Sequence, residues 1–141
     1  DPHSHRTFSD NFAAMELKKK NIIYDKPIYV GFAILELSKE IMYSFYYDYM
    51  KPKFVNNVEI CYQDTDSFIL AIHDKDFHEK IKADIPERFD TSNLKPENNK
   101  FGFPILNHRV LGMMKDETGW IPIHKFVGLK SKMYAIKIAD N

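Results

Sequence analysis

The chain has 141 residues, 44% hydrophobic and 28% charged, enough for one domain with a core of its own and too apolar for a disordered segment. Lys and Arg together number 20, as do Asp and Glu, so the formal net charge is zero; a self-standing nucleic-acid binder usually carries a basic excess, and any contact with a polyanion must come from a few locally placed cations. The single Cys61 excludes an internal disulfide and points to a reducing, intracellular compartment, and no apolar run reaches membrane-spanning length, which argues against a membrane partner.

The chain opens on Asp1-Pro2-His3-Ser4-His5, without an initiator Met or a signal-peptide pattern, and reads as an excerpt from a longer frame. Residues 1–24 form a segment ahead of the first strong element. They hold a weakly helical patch over Phe12–Leu17, a basic run at Lys18-Lys19-Lys20 that reads as a solvated face with a DNA-backbone contact as the alternative, and a β-prone stretch at 21–24. Residues 25–141 form the main unit. Asp25 suits a helix N-cap and Pro27 the first turn, where its missing N–H costs nothing. Val30, Ile34, Leu37, Ile41, Phe45 and Tyr49 then recur at steps of three or four, which predicts a helix over 27–50 buried along one stripe and ended by Pro52. Tyr43, Tyr46, Tyr47 and Tyr49 read as packing residues of that helix rather than a base-stacking platform.

Two short β-rich runs, 58–62 and 68–72, flank Gln63-Asp64-Thr65-Asp66-Ser67 and predict a hairpin over 58–72 with an acidic tip. Cys61 within it reads as a buried small hydrophobe. Residues 73–108 read as a connector: a short helix at 77–85 closed by Pro86, then a loop rich in Asn, Pro, Lys and Glu over 90–102. Strands return over 109–138, at 110–115, 121–127 and 132–138, with Trp120 as a turn residue covering the core and Pro122 at an edge or strand start. The six histidines lack metal-ligand spacing and read as incidental, and no glycine pattern matches a phosphate-binding loop. The succession predicts an α+β fold, an antiparallel sheet bearing the Asp hairpin and backed by the long helix.

The tip carries the chemistry. Turn chemistry favours Asn-Gly or Asp-Gly, and acidic residues in their place hint at a task other than folding. Asp64 and Asp66 are two apart, so in extended chain their carboxylates share a face about 7 Å apart. Such a pair repels unless it stays solvated or meets a hard cation such as Mg²⁺, which takes carboxylate and phosphate oxygens. Thr65 and Ser67 can brace the turn through backbone hydrogen bonds. An isolated Asp-x-Asp fits a solvated acidic turn, a polymerase metal motif, or the nucleotide-sugar site of a glycosyltransferase.

The longer string Tyr62-Gln63-Asp64-Thr65-Asp66-Ser67 resembles the Tyr-x-Asp-Thr-Asp-Ser signature of family B DNA polymerases, their third palm motif. Lys26 to Lys39 is similar to the helix that precedes this motif in the organellar and viral subgroup, which includes protein-primed polymerases of phages, linear plasmids and Polinton/Maverick-type mobile elements. Val127-Gly128-Leu129-Lys130-Ser131-Lys132-Met133-Tyr134 resembles the same subgroup's Lys-x-Tyr segment. The likeness runs from about Phe8 to Ile138.

The resemblance implies a palm fragment of a DNA-directed DNA polymerase, transferring nucleotides by two magnesium ions: one acidifies the primer 3′-hydroxyl and one holds the triphosphate. It implies that Asp66 is the essential metal ligand, that Asp64 binds metal or shapes the site, and that Tyr62, Thr65 and Ser67 support the motif. Lys132 and Tyr134 would contact the primer strand. The implied partners are a DNA primer-template, deoxynucleoside triphosphates and, in the protein-primed subgroup, a terminal protein. The pattern is incomplete here. The upstream Ser-Leu-Tyr-Pro-like motif with the other metal-binding Asp, the motif that grips the incoming nucleotide, the exonuclease carboxylates and the thumb have no match. The chain alone is therefore expected to be inactive, and an inactive mobile-element relic is the competing reading.

Overall fold

The computed structural model describes residues 2–17 and 25–139; the basic run 18–20 and the stretch 21–24 lie outside the described residues. The chain divides into two compact units, Asp1–Phe32 and Ala33–Asn141.

In the first unit, β1 (Pro2–Ser9) and β2 (Phe12–Leu17) form an antiparallel hairpin. The helical patch expected over Phe12–Leu17 is thus a strand. Six residues are too few to nucleate a helix unaided, whereas a partner strand offers each backbone group a bond. Ser4 Oγ donates to Glu16 Oε2 across the pair at 2.8 Å, and the Phe8 and Phe12 rings lie 5.3 Å apart beside the turn. The first turn of α1 (Ile28–Tyr43) also belongs here, with the Val30 N–H donating to the Pro27 carbonyl at 3.0 Å.

The second unit takes up α1 and continues it through a π-helical segment, Ser44–Met50, into α2 (Lys51–Phe54). Pro52 does not end the helix as expected. The Lys51 N–H donates to the Tyr46 carbonyl five residues back, and the wider turn takes up the missing Pro52 donor and eases the ring past the preceding carbonyls. The helix stops instead at Val55, which has φ 49°. Only two of the six residues of the expected stripe are covered. Tyr49 is buried and Phe45 partly so, while Val30, Ile34, Leu37 and Ile41 are exposed; the buried face begins at Met42 and runs through Tyr46, Tyr49, Met50 and Phe54.

β3 (Val58–Asp64) and β4 (Ser67–Ile72) pair antiparallel. The segment expected as a connector supplies much of the core: Ile81 and Ile85 are 0% exposed, and Phe89, Leu94 and Phe103 are buried with them. α3 (Phe77–Ile81) passes through a single 3₁₀ turn (Lys82–Asp84) into α4 (Ile85–Arg88), and Pro86 stands in the first turn of α4 rather than closing a helix. The irregular chain beyond is held by side chains. Asn107 Nδ2 donates to the Phe89 and Pro86 carbonyls at 2.9 and 3.0 Å, and Asn99 brackets Phe103 by accepting from its N–H and donating to its carbonyl. Thr91 donates to the Pro104 carbonyl and accepts from the Leu106 N–H. These bonds satisfy buried backbone that no strand pairs.

β5 (Phe89–Asp90) and β6 (Met114–Lys115) form a short parallel pair, so the strand expected over 110–115 shrinks to two residues. Positive φ at Asn107, Arg109 and Gly112 breaks the extended run that precedes it. β7 (Ile123–Lys130) and β8 (Met133–Ile138) pair antiparallel. Trp120, at φ 68°, packs edge-on against Phe103 with ring centres 5.0 Å apart. The described residues are mixed α+β, with the strands in four two-stranded sheets instead of one antiparallel sheet. No described helix is long and apolar enough to cross a membrane.

Phe54 is 2% exposed at the centre of the core, and Phe54→Ala is expected to lower the unfolding free energy by about 3–5 kcal/mol in urea titration. Burial pushes the Asp90 carboxyl up, but the Lys115 ammonium at 2.8 Å and the Ser92 and Arg109 N–H groups outweigh it and hold the group well below the usual carboxylate range. A depressed folded-state pKa gives stability that is present above about pH 4 and is lost as pH falls through the folded value. Asp90→Asn should therefore cost about 2–3 kcal/mol at pH 7, where it strands Lys115, and should flatten the fall of the melting temperature on acidification.

Candidate functional site

Two hairpin tips meet in the second unit. The turn between β3 and β4 is Thr65-Asp66, with Asp64 opposite Ser67; the turn between β7 and β8 is Ser131-Lys132, with Lys130 opposite Met133. Each turn holds a side-chain-bearing residue in backbone space that glycine favours: Thr65 has φ 48° and Lys132 has φ 60°. For β-branched Thr65 this costs roughly 1–2 kcal/mol, so the surroundings must impose it. Two bonds within the first turn help. Thr65 Oγ1 donates to Asp64 Oδ1 at 3.0 Å, and Ser67 Oγ donates to the Asp64 carbonyl at 3.1 Å.

Lys132 joins the tips. Its Nζ lies 2.7 Å from Asp64 Oδ2, and its backbone N–H donates to the Tyr62 hydroxyl, also at 2.7 Å. The Tyr62 hydroxyl in turn reaches Asp64 Oδ2 at 3.5 Å, the outer limit of a hydrogen bond. The Tyr62 and Tyr134 rings are 4.7 Å apart, and Phe126 completes the group at 6.2 Å from each.

A local irregularity sets Tyr62 in place. Pairing runs from Ile60 opposite Leu70 to Tyr62 opposite Ile69, so Cys61 is an extra residue in β3 and forms a β-bulge. Cys61 is exposed there, not buried as its place in a strand suggested. The structure thus brings together Tyr62, Asp64, Thr65, Lys132 and Tyr134, and Ser67 braces the turn. Asp66 shares the turn but makes no bond to Lys132: it is exposed and adds its field there.

Phe126 is not among the residues the sequence singles out, and Gly128 appears there only within the Lys-x-Tyr segment, with no role of its own. Gly128 faces Tyr134 in the ladder, and a Cβ there would lie 2.8 Å from the Phe126 ring. The glycine gives Phe126 room to lean towards the two tyrosines. The signal was available as a bulky ring two residues before a glycine on the same strand face. An open recess of about 240 Å³ lies alongside, lined by Cys61, Tyr62, Phe126 and Leu129 among others.

The Lys132 bond, then the Thr65 bond, hold the Asp64 carboxyl below the usual carboxylate range against a small opposing effect of burial; the Asp64 bond raises the Lys132 ammonium. The donor chemistry fits a hard cation, since the tip presents carboxylate oxygens and no soft ligand. Asp66 is free to bind one, and Asp64 keeps lone pairs on Oδ1 beyond its bond to Thr65. Among the described residues no group of three or more His, Cys, Asp and Glu gathers to hold a metal. The aspartates belong to an antiparallel hairpin rather than the end of a parallel strand, the placement a nucleotide-sugar Asp-x-Asp site would use. Comparison with protein-family models, curated proteins and solved structures gave no match to the chain.

Replacing Lys132 by Met should raise the Asp64 carboxyl pKa toward its ordinary value of about 3.9 in an NMR titration. In the wild-type chain the Lys132–Asp64 pair should persist between about pH 4 and pH 10. It weakens as pH falls through the depressed Asp64 value or rises through the raised Lys132 value.

Proposed function

We propose that the chain is part of the palm of a family B DNA polymerase, contributing one carboxylate motif and one primer-contacting motif to template-directed nucleotidyl transfer. The observation that carries this reading is the junction of the two resembling segments: Asp64 and Lys132, 68 residues apart in sequence, are bonded at 2.7 Å. The bond brings the two resembling segments together, where one substrate would meet both.

In this reading Asp66 binds a magnesium ion, and Asp64 shapes the site or shares the metal. Lys132 offers a charge to a primer phosphate and Tyr134 packs beside the strand. Tyr62 fixes the separation of the two turns. Magnesium supplies activation of the primer hydroxyl and neutralises the triphosphate; the chain's residues position the charges around them. The partners are a primer-template and deoxynucleoside triphosphates, with a terminal protein as the primer in the protein-primed subgroup. The remaining metal-binding carboxylate and the nucleotide-gripping motif must come from other polypeptide, so this piece alone should extend no primer.

The test is binding of a fluorescent primer-template by anisotropy across a salt series. Lys132→Ala should weaken binding and lower the slope of log affinity against log salt by about one. Unchanged affinity and slope would overturn the reading. When a second polypeptide supplies the missing motifs, extension should appear with Mg²⁺ and fall at least about 10²-fold in Asp66→Asn.

A further inference from the structure

We propose that the Lys132–Asp64 bond is a latch that couples cation binding to polyanion binding at the hairpin tips. The inference rests on the function just proposed and adds a form of regulation to it. Lys132 is the cation suited to meet a phosphate, yet its ammonium is spent on Asp64, 2.7 Å away. Asp64 is a carboxylate suited to share a divalent ion, yet Oδ2 is spent on Lys132. Each partner therefore masks the other. The mask is light: the Lys132 side chain is 76% exposed and the Asp64 side chain 21%, so water and ions compete for both.

The anchoring of Lys132 makes the exchange local. Its backbone N–H is held separately by the Tyr62 hydroxyl at 2.7 Å, and its turn geometry is fixed at φ 60°. When the ammonium leaves Asp64, only the flexible side chain has to swing, about a Cα that stays in place. The Tyr62 hydroxyl has one proton to donate and can still accept from Lys132 while it points to Asp64. A divalent cation taken by Asp64 frees Lys132 for a phosphate, and a phosphate taken by Lys132 frees Asp64 for a cation. By thermodynamic linkage the two effects are equal in size.

The coupling inverts an ordinary salt effect. At constant ionic strength, Mg²⁺ normally competes with protein cations for DNA phosphates and weakens binding. Here Mg²⁺ strengthens it.

The experiment is anisotropy with the full chain and a fluorescent primer-template at fixed ionic strength, in EDTA and in Mg²⁺. Asp64→Asn should bind about two- to five-fold more tightly than wild type in EDTA, the range an exposed ion pair permits. Mg²⁺ should raise wild-type affinity by a similar factor, whereas in Asp64→Asn only the ordinary weakening by competition for phosphates should remain. Asp66→Asn removes the same charge from the same turn without releasing Lys132 and should gain less. In a Lys132→Met background the gain from Asp64→Asn should vanish, a non-additivity that simple relief of charge repulsion cannot produce. A gain that persists in that background, or no gain in either, overturns the latch. If Lys132→Met alone leaves binding unchanged, it is the polymerase reading that fails.

Discussion

The arrangement of the two hairpin tips depends on one contact point, where the Tyr62 hydroxyl and the Asp64 carboxylate receive the backbone and side chain of the same lysine. Neither hairpin is secured by its own ladder alone. Each turns on a residue in costly backbone geometry; β7 and β8 are largely exposed, while β4 is partly buried and packs on the core. A two-stranded ribbon is marginal by itself, so bonds between the tips, with the three mutually tilted rings behind them, hold the ribbons in register with one another. Geometry at the acidic turn is therefore set from 68 residues away.

The core lies elsewhere and is of a different kind. It is built from the C-terminal half of the long helix, the start of β3, and the irregular segment from Ile81 to Phe103. Aromatic faces do much of the packing, with Phe45, Tyr49, Phe89, Phe103 and Trp120 in a connected series and His78 stacked on Phe101 at 4.1 Å. Burial pulls the His78 imidazole down, toward the neutral form that suits an apolar stack. At the edge of this core, Tyr49 and Lys53 both donate to Asp84, tying the helix to the turn after α3. Burial, followed by the Asp84 bond, pushes the Tyr49 hydroxyl up, so it remains a donor throughout the ordinary pH range.

Much of this was legible from residue order, and the misses share a cause. The hairpin over 58–72 follows from two β-rich runs on either side of a polar pentapeptide, and the helix follows from its apolar steps. Both are local signals. The connector was misjudged because Asn, Thr and Pro are turn formers in composition, while here Asn99, Asn107 and Thr91 serve as substitutes for a sheet partner. Only the positions of distant carbonyls decide which role an Asn takes. Cys61 is exposed although a small hydrophobe in a strand suggests burial: it is the extra residue of a bulge, unpaired in the ladder. At the site, the string from Tyr62 to Ser67 marks the tip, but the meeting with Lys132 depends on tertiary placement that no spacing rule reaches.

The π-helical segment has a consequence for how this helix can vary. Leu37, Ile41, Phe45 and Tyr49 follow one another at steps of four, and on a regular α-helix each such step advances the stripe by about 40°. The broad turn over Ser44–Met50 absorbs an additional residue and cancels part of that drift, so that Tyr46, Met50 and Phe54 still point inward. Loss of any one residue from this stretch would restore a tight spiral and swing everything beyond it by about 100°, carrying Phe54 out of its socket and setting Pro52 against a carbonyl. The length of this segment, more than its side-chain identities, thus sets the face that Phe54 presents to the core.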